Sequence, residues 1–178
     1  NAILNAVLQY FKELGFPFYH KITHTGYLRH LVVRRAVKTG EILVNIATTG
    51  NFDEIPQCRK YREDGIYEDL KDVLLRLDLY GTIDGIIHTV NDSLADVVQS
   101  DRTDIIYGRD YITEKLLGLE FKISSFSFFQ TNTLGAEVLY TKAREYVGDT
   151  KDKVVFDLYS GTGTIAQIIA PVAEKVIG

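Results

Sequence analysis

The sequence predicts an α+β unit followed by the opening β–α–β of a second, doubly wound layer. Two observations carry this prediction. From Ala2 to Val90 the hydrophobic periodicity switches in the order helix, hairpin, helix, strand. From Lys153 onward an apolar run, a glycine turn and a helical stretch follow one another.

Taken in order, Ile3, Leu4, Val7, Leu8, Phe11 and Leu14 recur at three- and four-residue spacing, so residues 1–15 read as an amphipathic helix that Gly15 stops. Leu28–Arg35 (LRHLVVRR) and Glu41–Thr48 (EILVNIAT) are β-rich, and the Lys38-Thr39-Gly40 turn between them predicts an antiparallel hairpin. Glu68–Leu79 puts Leu70, Val73, Leu74 and Leu77 on one helical face, and Thr82–Val90 reads as a further strand. Asp101–Gly118 has no clear period, although Gly108 and Gly118 mark turns around Tyr111–Leu117. Phe121–Gln130 (FKISSFSFFQ) reads as a strand ending in aromatics. A helix follows over Asn132–Val147, with Leu134, Val138, Leu139, Ala143 and Val147 on its apolar face and Thr131 or Asn132 as its cap. Lys153–Tyr159 is an apolar run of the kind buried in a parallel sheet. After Ser160–Thr164 (SGTGT), Ile165–Ala173 reads as a helix and Lys175–Gly178 opens another strand. The expected division is one domain over residues 1–126 and an incomplete second over residues 127–178.

With 46% hydrophobic and 25% charged residues, the chain is expected to fold rather than stay disordered. No apolar run reaches the ~20 residues that span a bilayer, and the first residues do not resemble a signal peptide, so a cytoplasmic location without membrane contact is expected. The 178 residues begin at Asn1 and contain no Met, which reads as a piece of a longer protein. The single cysteine, Cys58, excludes an internal disulfide and, set among Arg59, Lys60 and Arg62, is expected to be a surface thiol. His20 and His24 are the only histidines at a ligand-like spacing, and Ile22, Thr23 and Gly26 make a helical metal pair there unfavourable, so no metal site is expected. A net charge of −4 argues against a strongly basic nucleic-acid module while leaving room for a local patch.

The glycine turn carries the chemistry. Gly161 and Gly163 let the backbone approach a ligand closely, and the helix that follows points its free N–H groups at the turn. Ala166 completes a Gly-x-Gly-x-x-Ala spacing that a dinucleotide site shares. Asp157, four residues before Gly161, changes the balance: a carboxylate repels pyrophosphate but attracts the ammonium and sulfonium of S-adenosylmethionine. A nucleotide cofactor and a ligand-free structural turn stay open as alternatives.

Four segments resemble one family, the S-adenosylmethionine-dependent RNA methyltransferases that modify carbon 5 of uracil in 23S rRNA and tRNA. They are Asp157-Leu158-Tyr159-Ser160-Gly161-Thr162-Gly163-Thr164, Ser127-Phe128-Phe129-Gln130-Thr131-Asn132-Thr133, Tyr27–Arg34 with Thr39-Gly40-Glu41, and Gly108–Ile112 with Glu114. The resemblance implies an α+β central domain followed by the first βαβ of a Rossmann-like methyltransferase domain. By it, Gln130, Asp157, Tyr159, Gly161, Gly163 and Thr164 fall at the cofactor, and Phe128 and Gln130 near a flipped uridine. Phe128 and Phe129 are also candidates for core packing, with strand alternation expected to turn one inward. Thr164 departs from the Asn common at its position, so its backbone is the firmer contact.

The family mechanism needs a cysteine nucleophile and a base that both lie further toward the C-terminus, so no catalytic residue is expected in this chain. The N-terminal RNA-binding barrel and cysteine-ligated iron–sulfur cluster of some members are not in it either. Methylation of uracil in 23S rRNA, ahead of tRNA, is expected of the parent protein, with this chain alone inactive and its cofactor binding weak or absent. A Rossmann-type oxidoreductase or a non-catalytic RNA-binding module are the alternatives. Arg29, His30, Arg34 and Arg35 are candidates for RNA contact or for a solvated sheet face. Exposed apolar surface from Val154 to Leu158 is expected to favour self-association.

Overall fold

Residues 1–95 and 100–178 are described by the structure, a computed structural model, and they divide into two units. The first comprises residues 1–36, 40–112 and 124–126; the second comprises residues 37–39, 113–123 and 127–178.

In the first unit, α1 (Ala2–Leu14) buries Ile3, Val7 and Phe11, and Gly15 ends it at φ 74°. The strands β1 (Leu28–Arg35), β2 (Glu41–Thr48), β3 (Thr82–Val90) and β4 (Arg102–Gly108) form one sheet in that order. The pairings are antiparallel, parallel and antiparallel, and α2 (Glu63–Leu75) is the crossover between the parallel β2 and β3. Ile3, Val7 and Phe11 from α1 and Ile66, Leu70 and Leu74 from α2 share one core cluster with Val44, Ile46 and Ile86. Burial of each such side chain contributes roughly 1.5–3 kcal/mol.

The sequence places α2 five residues too late. Its true start is marked by Glu63 and Asp64, which complement the helix dipole, and Asp64 also accepts the Gly65 N–H. Gly65 inside the first turn hides that start from a periodicity reading. Leu77 lies beyond the helix but still packs against the core.

One reading is overturned in this unit and another is narrowed. Cys58 is fully buried in the core cluster rather than at the surface, and desolvation, aided by the Glu63 carboxylate, pushes its thiol up to about 11. The flanking Arg59 and Lys60 are exposed, so they mislead about the residue between them. Two of the basic residues on β1 are engaged internally. The Arg29 guanidinium donates to the Asn91, Ser93 and Ala95 carbonyls at 2.6, 2.8 and 3.2 Å, and it lies 4.3 Å over the Tyr19 ring. Arg34 donates twice to the Ser125 carbonyl, from Nε at 3.2 Å and Nη2 at 3.0 Å.

A polar cluster is built into this core. The Tyr27 hydroxyl donates to Glu63 Oε1 at 2.8 Å and receives the Tyr67 hydroxyl at 2.7 Å. Tyr67 stacks on His88 with centroids 4.1 Å apart, and His88 Nε2 lies 2.8 Å from the Thr48 hydroxyl. Desolvation lowers the His88 imidazole to about 4.

In the second unit, β5 (Tyr111–Leu116) and β6 (Leu119–Ser124) form a hairpin whose turn residues Leu117 and Gly118 both have positive φ. Then come α3 (Thr133–Val147), β7 (Thr150–Phe156), α4 (Thr164–Ile169) and β8 (Ala173–Ile177). The strands β7 and β8 pair in parallel, so β7–α4–β8 is a β–α–β unit. The end of α4 tightens into a 3-10 turn over Ala170–Val172, where Pro171 breaks the α-helical ladder.

Here the structure departs from the expected burial. Leu134, Val138 and Leu139 are exposed, and α3 instead buries Thr133, Ala136 and Tyr140. Within β7, Val154 and Phe156 are exposed and Val155 is half-buried. Periodicity names the apolar faces, but nothing among the described residues covers them. No helix among the described residues is long and apolar enough to cross a membrane.

Candidate functional site

Strand β7 delivers the chain to the glycine turn. Directly after its last residue, the Asp157 N–H donates to the Ile177 carbonyl at 2.8 Å, tying the strand end to β8. The Asp157 Oδ2 accepts the Ala166 N–H at 3.1 Å, so the carboxylate is fixed beside the start of α4. There it satisfies one N–H that the first turn of a helix otherwise leaves without a partner.

Between these anchors the backbone needs glycine. Gly161 and Gly163 adopt φ 51° and 70°, and Gly163 is the N-cap of α4. The Gly163 N–H donates to the Ser160 carbonyl at 2.7 Å, and the Gly163 carbonyl receives the Gln167 N–H at 3.0 Å. A Cβ at Gly161 would meet nothing nearer than the Tyr159 carbonyl at 4.0 Å, so the space above the turn is open. Glycine is required there by the left-handed backbone rather than by crowding.

The remaining expected site residues divide into two groups. Tyr159 is 97% exposed, with its ring in solvent beside the turn, whereas Thr164 is buried with its hydroxyl 2.8 Å from that of Thr162. Phe128 and Gln130 lie in the irregular stretch between β6 and α3, not in a strand, because β6 ends at Ser124. Phe128 is 75% exposed while Phe129 packs against Phe121 with centroids 5.7 Å apart. One ring is therefore inward and one outward, although loop geometry rather than strand alternation separates them. Gln130 is half-buried, and no hydrogen bond among the described residues joins it to the glycine turn.

Two anchors fix the end of the Phe128–Asn132 segment: the Asn132 cap, which the sequence predicts, and a buried carboxylate, which escapes a sequence reading. The Asn132 side chain caps α3 by accepting the Gly135 N–H at 2.9 Å. Immediately after it, the Thr133 hydroxyl donates to Glu114 Oε2 at 2.9 Å. Glu114 is 1% exposed, and its two oxygens also accept the N–H groups of Val37, Lys38 and Lys115. This carboxylate therefore joins the β1–β2 connection, β5 and the start of α3. A glutamate in a strand gives no sequence signal for such a role. Nearby, the Leu117 N–H and then the Lys38 ammonium hold Glu137 below the usual carboxylate range.

The comparisons with known proteins agree with one another. An uncharacterized RNA methyltransferase of Clostridium tetani is 53% identical over 176 residues, covering 99% of this chain and 36% of that protein. An uncharacterized RNA methyltransferase of Caldanaerobacter subterraneus subsp. tengcongensis is 48% identical over 175 residues, with 98% and 36% covered. Among solved structures, the tRNA (uracil-54, C5)-methyltransferase of Pyrococcus abyssi in complex with S-adenosyl-L-homocysteine matches 94% of this chain and 36% of that one, with a TM-score of 0.65 and 28% identity. No protein-family model matches the chain. The chain thus spans 36% of the length of the relatives cited here.

Proposed function

We propose that this chain, a segment of the RNA methyltransferase family, forms the entry to the S-adenosylmethionine site of an enzyme that methylates carbon 5 of uracil in RNA. The observation that carries the proposal is the β7–α4–β8 unit with Asp157 pinned beside an open, glycine-built turn. The fit to the cofactor is chemical. A carboxylate beside the turn favours a ligand bearing an ammonium and a sulfonium and disfavours a pyrophosphate. When bound, S-adenosylmethionine supplies an electrophilic methyl group.

On this reading the chain's own residues bind and orient. Asp157, Gly161, Gly163 and the α4 start cradle the cofactor, Tyr159 offers an aromatic face to it, and Gln130 offers both a donor and an acceptor. Thr164 contributes through its backbone, since its hydroxyl is turned toward Thr162. Phe128, exposed ahead of Gln130, is assigned to the flipped uracil, which must leave its stack to be reached. The domain division at residues 126 and 127 follows from this assignment. The nucleophilic cysteine and the base are assigned to the parent protein outside this chain, so the chain alone is inactive and holds the cofactor weakly. Cys58 does not serve, being buried in the first unit with its thiol pushed up to about 11.

The RNA proposed is 23S rRNA ahead of tRNA. The test is to incubate the full-length parent with S-adenosylmethionine and 5-fluorouracil-substituted 23S rRNA or tRNA, then look for a denaturation-resistant protein–RNA adduct. Fluorine at carbon 5 cannot leave as a proton does, so an enzyme that adds a cysteine to carbon 6 stalls covalently. An adduct on 23S rRNA supports the full proposal, and one on tRNA alone moves the substrate to tRNA. The absence of any adduct with folded protein and fluorinated RNA refutes the reaction class.

A further inference from the structure

Gln130, which the proposed reaction assigns to the cofactor and the flipped uracil, lies in no regular element. Among the described residues its amide has no hydrogen-bond partner. A side chain so placed is aimed only by the backbone on either side of it. Both sides are clamped. One residue before it, the Phe129 ring packs on Phe121 of β6 with centroids 5.7 Å apart. Three residues after it, the Thr133 hydroxyl donates to Glu114 Oε2 of β5 at 2.9 Å.

The two clamps belong to one hairpin. Lys115 and Glu120 pair across β5 and β6 at 3.2 Å, and Glu114 precedes the first as Phe121 follows the second. Both Glu114 and Phe121 are buried, so the inner face of the hairpin grips each end of a bridge made of Gln130, Thr131 and Asn132. The helix after the bridge is tied to the same hairpin one turn further on, where Glu137 Oε1 accepts the Leu117 N–H at 3.2 Å. Thr133 and Glu137 are four residues apart and share one face of α3. Two attachments a turn apart hold the helix start against rotation as well as sliding. Glu114 also accepts the backbone N–H groups of Val37, Lys38 and Lys115. Loss of the Thr133 hydroxyl therefore cuts the link to the bridge while the carboxylate keeps its backbone donors and its place.

The geometry points to Glu114, acting through the Thr133 hydroxyl, as a positioning residue for methyl transfer: it fixes the backbone that carries Gln130. This rests on the reading of the chain as part of a uracil methyltransferase with Gln130 in its site. A group that contacts reacting molecules is productive only within about 0.5 Å of its place, and it is kept there by supporting residues whose own positions are locked. A displacement of about 1 Å from a change outside the chemistry costs up to about 100-fold. A bridge freed at Thr133 but still held at Phe129 moves less than one freed at both ends, so about tenfold is expected.

The test measures kcat/KM of the full-length parent with methyl-labelled S-adenosylmethionine and unmodified 23S rRNA or tRNA, well below the thermal midpoint of every variant. Thr133→Val and Thr133→Ala both remove the hydroxyl, the first with its volume kept, and each is expected to lower kcat/KM about tenfold. Thr133→Ser keeps the hydroxyl and should recover kcat/KM to within about twofold of wild type. Thr150→Val removes a comparable bond elsewhere in the same unit, where the Thr150 hydroxyl donates to the Val172 carbonyl at 2.9 Å. It should lower the thermal midpoint but leave kcat/KM unchanged. Loss in Thr133→Val and Thr133→Ala, recovery in Thr133→Ser and an unchanged Thr150→Val support the inference. Full activity without the Thr133 hydroxyl overturns it and leaves the enzymatic reading standing. Equal losses in Thr133→Val and Thr150→Val overturn it in favour of general stability, and a Thr133→Ser no better than Thr133→Val overturns it by excluding the hydroxyl. A folded wild-type protein that methylates neither RNA overturns the enzymatic reading as well.

Discussion

Removing the Glu114 carboxylate tests the claim that one buried side chain organises the second unit. Its Oε1 accepts the Lys38 N–H at 3.0 Å and the Lys115 N–H at 2.9 Å; its Oε2 accepts the Val37 N–H at 2.6 Å and the Thr133 hydroxyl at 2.9 Å. In Glu114→Ala all of these donors lose their acceptor at a site that is 1% exposed. Each buried donor left unpaired costs about 1–3 kcal/mol, and this is partly offset because a charge is no longer held out of water. The net loss is expected at about 3–5 kcal/mol. Glu114→Gln keeps the shape but turns an amide N–H₂ toward one pair of donors. With the N–H₂ on the Oε2 side, the Thr133 hydroxyl can rotate to accept while the Val37 N–H stays unpaired, so about 2 kcal/mol is expected. Thr133→Val removes one hydrogen bond and should cost about 1 kcal/mol. Urea unfolding gives the ranking, and amide hydrogen exchange at Val37, Lys38 and the first turn of α3 gives the location. A Glu114→Ala loss below about 1 kcal/mol, or faster exchange spread evenly over both units, would refute the anchoring role.

Four further outcomes follow from the geometry. The buried His88 is held neutral, so the folded state releases its proton down to about pH 4 while the unfolded chain binds one below about 6.5. Stability from this group is therefore complete above pH 6.5 and declines as pH falls toward 4, by up to about 3 kcal/mol; His88→Leu should flatten that part of the urea-midpoint profile. The Cys58 thiol, buried and pushed up to about 11, should react with a disulfide reagent at neutral pH only as fast as the first unit opens, and burst labelling of native protein would contradict this. Gly163→Ala forces a Cβ into φ 70° at the α4 N-cap and should cost about 1–2 kcal/mol, read from the thermal midpoint, and no change would mean the turn relaxes. With Val154, Phe156 and Leu158 exposed alongside Leu134, Val138 and Leu139, the isolated chain should self-associate as concentration rises; a constant sedimentation coefficient would argue against it.

Local pattern alone was enough for α1, the β1–β2 hairpin and β3, because amphipathic spacing and turn residues act within a few positions of one another. The glycine turn was equally legible, since a positive φ at Gly161 and Gly163 is a local backbone demand. The register of α2 was not, because the dipole-compensating acids Glu63 and Asp64 precede a glycine that breaks the helical pattern. Long-range placement decided the rest. Cys58 is buried although its neighbours are charged, Arg29 and Arg34 are drawn onto distant carbonyls, and Phe128 and Phe129 part company in a loop. Above all, Glu114 finds its partners at residues 37, 38 and 133, a convergence that no window of sequence contains. Sequence by itself determined which segments form elements and where the backbone must turn, as both depend on neighbours along the chain. Only the tertiary structure decided which polar groups satisfy one another, because a buried carboxylate or guanidinium takes whatever partner the packing brings within about 3 Å.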